Sequence, residues 1–123
     1  MIDTIDVTGE KYKVEDKLKE YTKKRIGKLD RYLPRGYRRS LSAKVNFAQI
    51  NHAHNNKYEI VAKLMIPGGK GGKTLTAKTE ASNVFSGIDI IEAKLMRQAR
   101  RFKTEKSNQY PKGVFKRFLK KRK

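Results

Sequence analysis

The sequence predicts an α/β (α+β) fold: a two-layer sandwich of order β-α-β-β-β-α, with two helices on one face of a four-stranded sheet. Three observations point there. Two long stretches, 14–33 and 83–106, space their apolar residues at the helical period. Four short stretches alternate apolar and polar residues, as half-buried strands do. The chain has 123 residues and no cysteine, which suits one domain with a packed core and no disulfide framework.

The first strand is read in IDTIDVT, residues 2–8, where Ile5 and Val7 share a face and Gly9 ends the run. Over 14–33, Val14, Leu18, Tyr21, Ile26, Leu29, Tyr32 and Leu33 fall on one stripe. Asp16 suits the first turn of that helix, and Pro34 and Gly36 end it. Gly27 is unfavourable inside a helix, but the apolar period continues through it. The next strand is LSAKVNF, 41–47, with Leu41, Ala43, Val45 and Phe47 on its buried face. After the polar loop QINHAHNNK comes YEIVAKLMI, 58–66, and then TLTAKT, 74–79. In the last helix Val84, Ile88, Ile91, Leu95, Ala99 and Phe102 form the stripe, and Ser82 or Asn83 caps its start. The period stops at Ser107. The expected organisation is therefore a folded body, 1–106, and a basic tail, 107–123, with seven basic residues and no acidic one.

PGGKGGKT, residues 67–74, superficially resembles a phosphate-binding loop. That motif requires G-x-x-x-x-G-K-[ST], and its first glycine falls here on Pro67. It must also open a helix, whereas Thr74 opens an alternating strand. The glycines read instead as a hairpin connection between antiparallel strands, with Lys70 and Lys73 at its tip. His52 and His54 lack the Cys or carboxylate company of a metal site. No nucleophile, base and orienting acid share a recognisable context. Neither an enzyme nor a cofactor nor a small-molecule substrate is expected. No apolar run approaches the roughly 20 residues of a membrane span, and MIDTIDVTGE lacks the features of a secretory signal. A cytoplasmic protein without a membrane partner is the expectation.

Charge is the informative feature. Thirty-one Lys and Arg face 12 Asp and Glu, a formal net charge of +19. Such self-repulsion favours an anionic partner. On the first helix Lys17, Lys24, Lys28 and Arg31 fall within roughly 60° of one another, with Arg25 at the edge of the apolar stripe. On the second, Lys94, Arg97 and Arg101 share a face, and Arg100 and Lys103 lie on the far side. A solvated face normally mixes signs, and here only Glu20 with Lys24 is well placed. Nucleic acid is the reading. RNA is favoured over DNA because no short base-reading helix follows a tight turn, and paired basic helices suit backbone tracking on structured RNA.

Several segments, in order, are similar to the ribosome hibernation-promoting factor and ribosome-associated inhibitor family of bacteria and plastids. They are I-D-V-T-G at 5–9, L-K-E-Y at 18–21, R-I-G-K-L-D-R-Y at 25–32 and V-F-S-G-I-D-I-I-E-A-K-L-M-R-Q at 84–98. The resemblance covers residues 2 to about 106. It implies a fold related to double-stranded-RNA-binding domains and a small-subunit ribosome (rRNA) partner, near the decoding centre. The implied activity is translation inhibition in stationary phase or stress, by steric exclusion of mRNA and tRNA. It carries RNA-binding roles to Lys19, Arg25, Lys28, Lys94 and Arg97. Gln98 also matches, as a partner for RNA or for backbone. With Lys17, Lys24, Arg31 and Arg101 from the charge pattern, these are the candidate contacts. Asp89 matches too but, as an acid on a basic helix, is read as a structural residue. The chain departs from the family pattern at Glu15, where Thr or Ser is usual, and at Asn83, where an acid is usual. Without a C-terminal dimerisation domain it resembles the short forms, a monomer off the ribosome. The rival reading is a generic structured-RNA binder, such as a ribosomal protein or RNA chaperone. A membrane-active reading rests only on KGVFKRFLKKRK in the tail.

Overall fold

The computed structural model describes residue 2 and residues 4–38, 40–50, 58–68 and 72–109, with side chains as far as 105. Four strands, β1 (Thr4–Glu10), β2 (Ser42–Gln49), β3 (Tyr58–Ile66) and β4 (Lys73–Ala81), form one sheet in the order β1-β2-β3-β4. Helices α1 (Asp16–Gly27) and α2 (Val84–Gln109) cover one face. This is the two-layer α+β sandwich expected from the two periodicities.

β1 and β2 pair in parallel, Ile5 opposite Ala43 and Val7 opposite Val45. Parallel neighbours need a crossover, which α1 and the segment after it supply. β2–β3 and β3–β4 are antiparallel. β1 runs through Gly9 to Glu10 rather than ending before it. A side chain at Gly9 would collide with the backbone carbonyl of Tyr12, so this glycine lets the chain turn sharply just beyond the strand.

The first helical stretch changes character at Gly27. α1 ends there, and Lys28–Tyr32 continues as a 3-10 turn, followed by a second at Arg35–Tyr37. The apolar stripe survives the change: Leu18, Ile26, Leu29 and Leu33 are all buried. The α-helical ladder ends at the residue least suited to it; Leu29 then enters the core from the 3-10 turn and Leu33 from the extended residue that closes it. Glu15 occupies the N-cap of α1 without making a side-chain cap. Asn83 does cap α2, its Oδ1 accepting from the backbone N–H of Phe85 (2.8 Å) and Ser86 (3.2 Å). The helix runs three residues beyond the end of its apolar period.

The core lies between the layers: Ala43, Val45, Phe47, Ile60, Ala62, Leu64, Leu75 and Ala77 from the sheet meet Ile88, Ile91, Leu95, Ala99 and Phe102 from α2. Gly87 lets α2 approach the sheet, because a Cβ there would collide with Ile60 Cδ1. The glycine-rich stretch joins antiparallel β3 and β4, with Ile66 paired to Lys73, and Thr74 lies within β4. Gly68 adopts φ +142°, and a Cβ on Gly72 would lie 2.5 Å from the Ile66 carbonyl oxygen. The hairpin reading therefore holds. Lys70, His52, His54 and residues 110–123 lie outside the described residues.

Candidate nucleic-acid interface

α2 has two polar flanks. One overhangs β4, an edge strand of the sheet. Lys94 Nζ donates to the Lys78 carbonyl oxygen, and Gln98 Nε2 donates to that of Thr76, each at 2.7 Å. The match is geometric. Four helical residues advance about 6 Å and two strand residues about 7 Å, so an i, i+4 pair meets alternate carbonyls of a strand running the other way. Unpaired edge carbonyls are thereby satisfied, which also blunts the edge against strand addition. Thr76, Ala77, Lys78, Lys94, Arg97, Gln98 and Arg101 line the resulting open groove. Arg97 and Arg101 are exposed there, and neither has a carboxylate partner among the described residues. Lys78 approaches Glu59 at 3.3 Å, and Lys73 lies 3.9 Å from Glu105.

The other flank faces α1. Arg25 reaches across with Nη2 3.0 Å from Asp89 Oδ1 and Nε 2.8 Å from Glu92 Oε1. The contact with Glu92 is a close approach of charges without hydrogen-bond alignment at Nε. Tyr21 donates its hydroxyl to the same Asp89 oxygen at 2.5 Å, and the guanidinium lies 5.5 Å from the Tyr21 ring. This bond to Asp89, followed by desolvation, raises the Tyr21 pKa above its ordinary value. Arg25 is thus a tie between helices, half-exposed and already paired with two carboxylates. Asp89 is a structural acceptor, as an acid on this basic helix is expected to be.

At the helical period Lys17, Lys24 and Lys28 fall within about 60° of Tyr21, which faces the seam, and Arg31 follows on the 3-10 turn. From Lys28 onward the backbone is 3-10, so residues three apart eclipse, which sets Lys28 and Arg31 in line. Arg31 Nη2 donates to the Tyr32 hydroxyl at 3.2 Å. Lys17, Lys24 and Lys28 have no ion pair among the described residues. Lys19 stands apart from this line, about 200° from Lys17 around the axis. The candidate contacts therefore divide into a β4-edge group (Lys94, Arg97, Gln98, Arg101) and a seam group (Lys17, Lys24, Lys28, Arg31), with Arg25 between the helices. Among the described residues no three acids or histidines gather as a metal site, and no helix is long and apolar enough to cross a membrane.

A family model described as sigma 54 modulation protein / S30EA ribosomal protein matches residues 5–107. The chain belongs to the S30EA family. The ribosome hibernation promotion factor of Lactococcus lactis subsp. cremoris is 31% identical over 109 residues, which cover 89% of this chain and 54% of that protein. That of Bacillus subtilis is 29% identical over 105 residues, covering 85% and 51%. The chain thus spans about half the length of the curated relatives it matches. Among solved structures, a ribosomal subunit interface protein from Coxiella burnetii aligns with TM-score 0.63 and 26% identity, over 82% of this chain and 98% of that one. The N-terminal domain of Thermus thermophilus Protein Y has the same TM-score at 24% identity, over 83% and 99%, and supports the fold alone.

In this S30EA chain the sequence located the basic flanks but not the internal work of Lys94 and Arg25; of the two partners open to Gln98, RNA and backbone, the structure shows the backbone one. A signal was available for one of them. Asp89 and Glu92 are three apart on α2 and leave an acidic spot on a basic helix, which a cation of a neighbouring element is bound to answer. Nothing in the sequence marks which edge carbonyls a lysine or glutamine reaches. Tyr32, contacted by Arg31 and Arg100, also escaped notice because its spacing reads as core.

Proposed function

We propose that this protein is a ribosome-binding hibernation factor that occupies the decoding region of the small subunit and keeps mRNA and tRNA out. Membership of the S30EA family and relatives named ribosome hibernation promotion factors support ribosome binding. The name of the Coxiella structure, a ribosomal subunit interface protein, agrees with it. The observation that carries the reading is the groove along β4. There Arg97 and Arg101 are exposed and unpaired among the described residues, above an edge that Lys94 and Gln98 have closed. Guanidinium forks without carboxylates suit phosphate. The helical basic line of Lys17, Lys24, Lys28 and Arg31 extends the same chemistry, and Lys19 is a more peripheral contact. Inhibition then needs only occupancy: no bond is made or broken, and affinity depends steeply on salt.

The test is binding of the purified chain to small ribosomal subunits, with Arg97→Ala and Arg101→Ala measured beside it. The double variant should bind at least about tenfold more weakly and with a shallower salt dependence, since each phosphate contact contributes about one to the slope. Equal, non-saturating binding to any RNA would favour the generic RNA-binder reading instead.

A further inference from the structure

We propose that Arg31 and Arg100, steadied by the ring of Tyr32 between the 3-10 turn and α2, form a second phosphate-binding fork that takes a phosphodiester of the RNA backbone. The proposal rests on the RNA-binding reading above and adds a site on the opposite flank of α2 from the β4 groove.

Two guanidinium groups from different elements converge on one ring. Arg31 Cζ lies 5.2 Å and Arg100 Cζ 5.1 Å from the Tyr32 centroid. Arg31 also donates from Nη2 to the Tyr32 hydroxyl. Neither arginine has a carboxylate partner among the described residues. Farther along the same seam the contrast is plain, because Arg25 is held by Asp89 and Glu92. Convergence of two unneutralised cations is unfavourable in isolation, and the ring's negative faces offset only part of the repulsion. An anion reached by both guanidinium groups would relieve it.

The fork is also held in place. Arg38 donates from Nε to the Leu33 carbonyl (3.0 Å) and from Nη2 to the Arg31 carbonyl (3.2 Å), bracing the backbone that carries Arg31. Leu29 and Leu33 anchor the same turn in the core. Arg100 sits between the buried Ala99 and Phe102 on a rigid helix. Arginines fixed this way lose less freedom on binding than free surface lysines do, and their planar donors match phosphate oxygens. Lys28 lines up with Arg31 on the 3-10 turn, and Lys103 follows Arg100 by one helical turn, so the chemistry continues on both sides of the fork.

The experiment uses the full chain, small ribosomal subunits and a salt series, with circular dichroism as a check on folding. Arg31→Ala and Arg100→Ala should each weaken binding about five- to tenfold. The double variant should be little weaker than either single one, and should lower the salt slope by about one rather than two, because both cations serve one phosphate. Tyr32→Leu leaves every charge in place and should still weaken binding at least about threefold, whereas Tyr32→Phe should retain most affinity. Arg100→Lys should not restore it, since a point charge lacks the fork. Fully additive losses, or variants within twofold of the parent while Arg97→Ala still weakens binding, would overturn the fork alone. A parent chain that does not bind small subunits would overturn both the fork and the function it rests on.

Discussion

Asp89 Oδ1 accepts the Tyr21 hydroxyl at 2.5 Å and lies 3.0 Å from Arg25 Nη2, so one carboxylate oxygen joins α1 to α2 through two side chains. The arrangement separates two kinds of cation. Arg25 is spent inside the molecule, whereas Arg97 and Arg101 have no such partner among the described residues. Arg25→Met should therefore lower stability by about 1–2 kcal/mol, the range for a partly screened charged hydrogen bond. Arg97→Ala should leave the melting temperature nearly unchanged and weaken RNA binding. Thermal melts alongside binding assays check the division.

Tyr21 should titrate late. Its hydrogen bond to Asp89 is the largest cause of the raised pKa, followed by desolvation, while Arg25 opposes both. Tyr12 is raised as well, chiefly by burial. A raised pKa means that the folded state favours the protonated phenol. Its contribution to stability is complete below the ordinary value of 10 and declines as pH rises from there through the folded pKa. Ultraviolet titration of tyrosinate should show Tyr21→Phe removing a late component.

Thr22 is fully buried, and its hydroxyl has no hydrogen-bond partner among the described residues. An isosteric apolar replacement removes a desolvated polar group without opening a cavity. Thr22→Val should raise stability by about 1 kcal/mol, measured by urea denaturation. A loss of that size would mean that the hydroxyl is satisfied in solution.

Lys94 and Gln98 close the β4 edge. Replacing both with alanine should uncover the Thr76 and Lys78 carbonyls, cost about 1–3 kcal/mol in total, and increase self-association at high protein concentration. Sedimentation velocity reads the second effect. If Lys94 serves only RNA, its removal will weaken binding and leave stability and association unchanged.

Much of the fold was legible because burial repeats with the period of each element. Leu41, Ala43, Val45 and Phe47 announced β2, and Ile88, Ile91, Leu95, Ala99 and Phe102 announced α2. The parallel β1–β2 pairing was not legible, since alternation identifies a strand but not its neighbour's direction. The apolar period runs through Gly27 as in a continuous helix, yet the backbone changes to 3-10 immediately after it: the period marks Leu29 and Leu33 as buried but not the backbone geometry that buries them. Within the candidate site, the sequence grouped Lys94, Arg97 and Arg101 on one flank of α2, as the structure does. It could not say which were already engaged: Arg25 answers carboxylates more than sixty residues away, and Lys94 and Gln98 answer backbone carbonyls, which no residue type announces.

If the basic faces of this chain fill the space where mRNA and tRNA bind on the small subunit, the chain and those two ligands exclude one another. The most direct measurement is co-sedimentation of the purified chain with vacant small subunits at physiological salt, with mRNA and tRNA added as competitors. Occupation of the decoding region predicts near-stoichiometric, saturable binding that mRNA and tRNA together displace. Saturable binding that persists unchanged when both are present would contradict occupation of the decoding region and place the chain elsewhere on the ribosome.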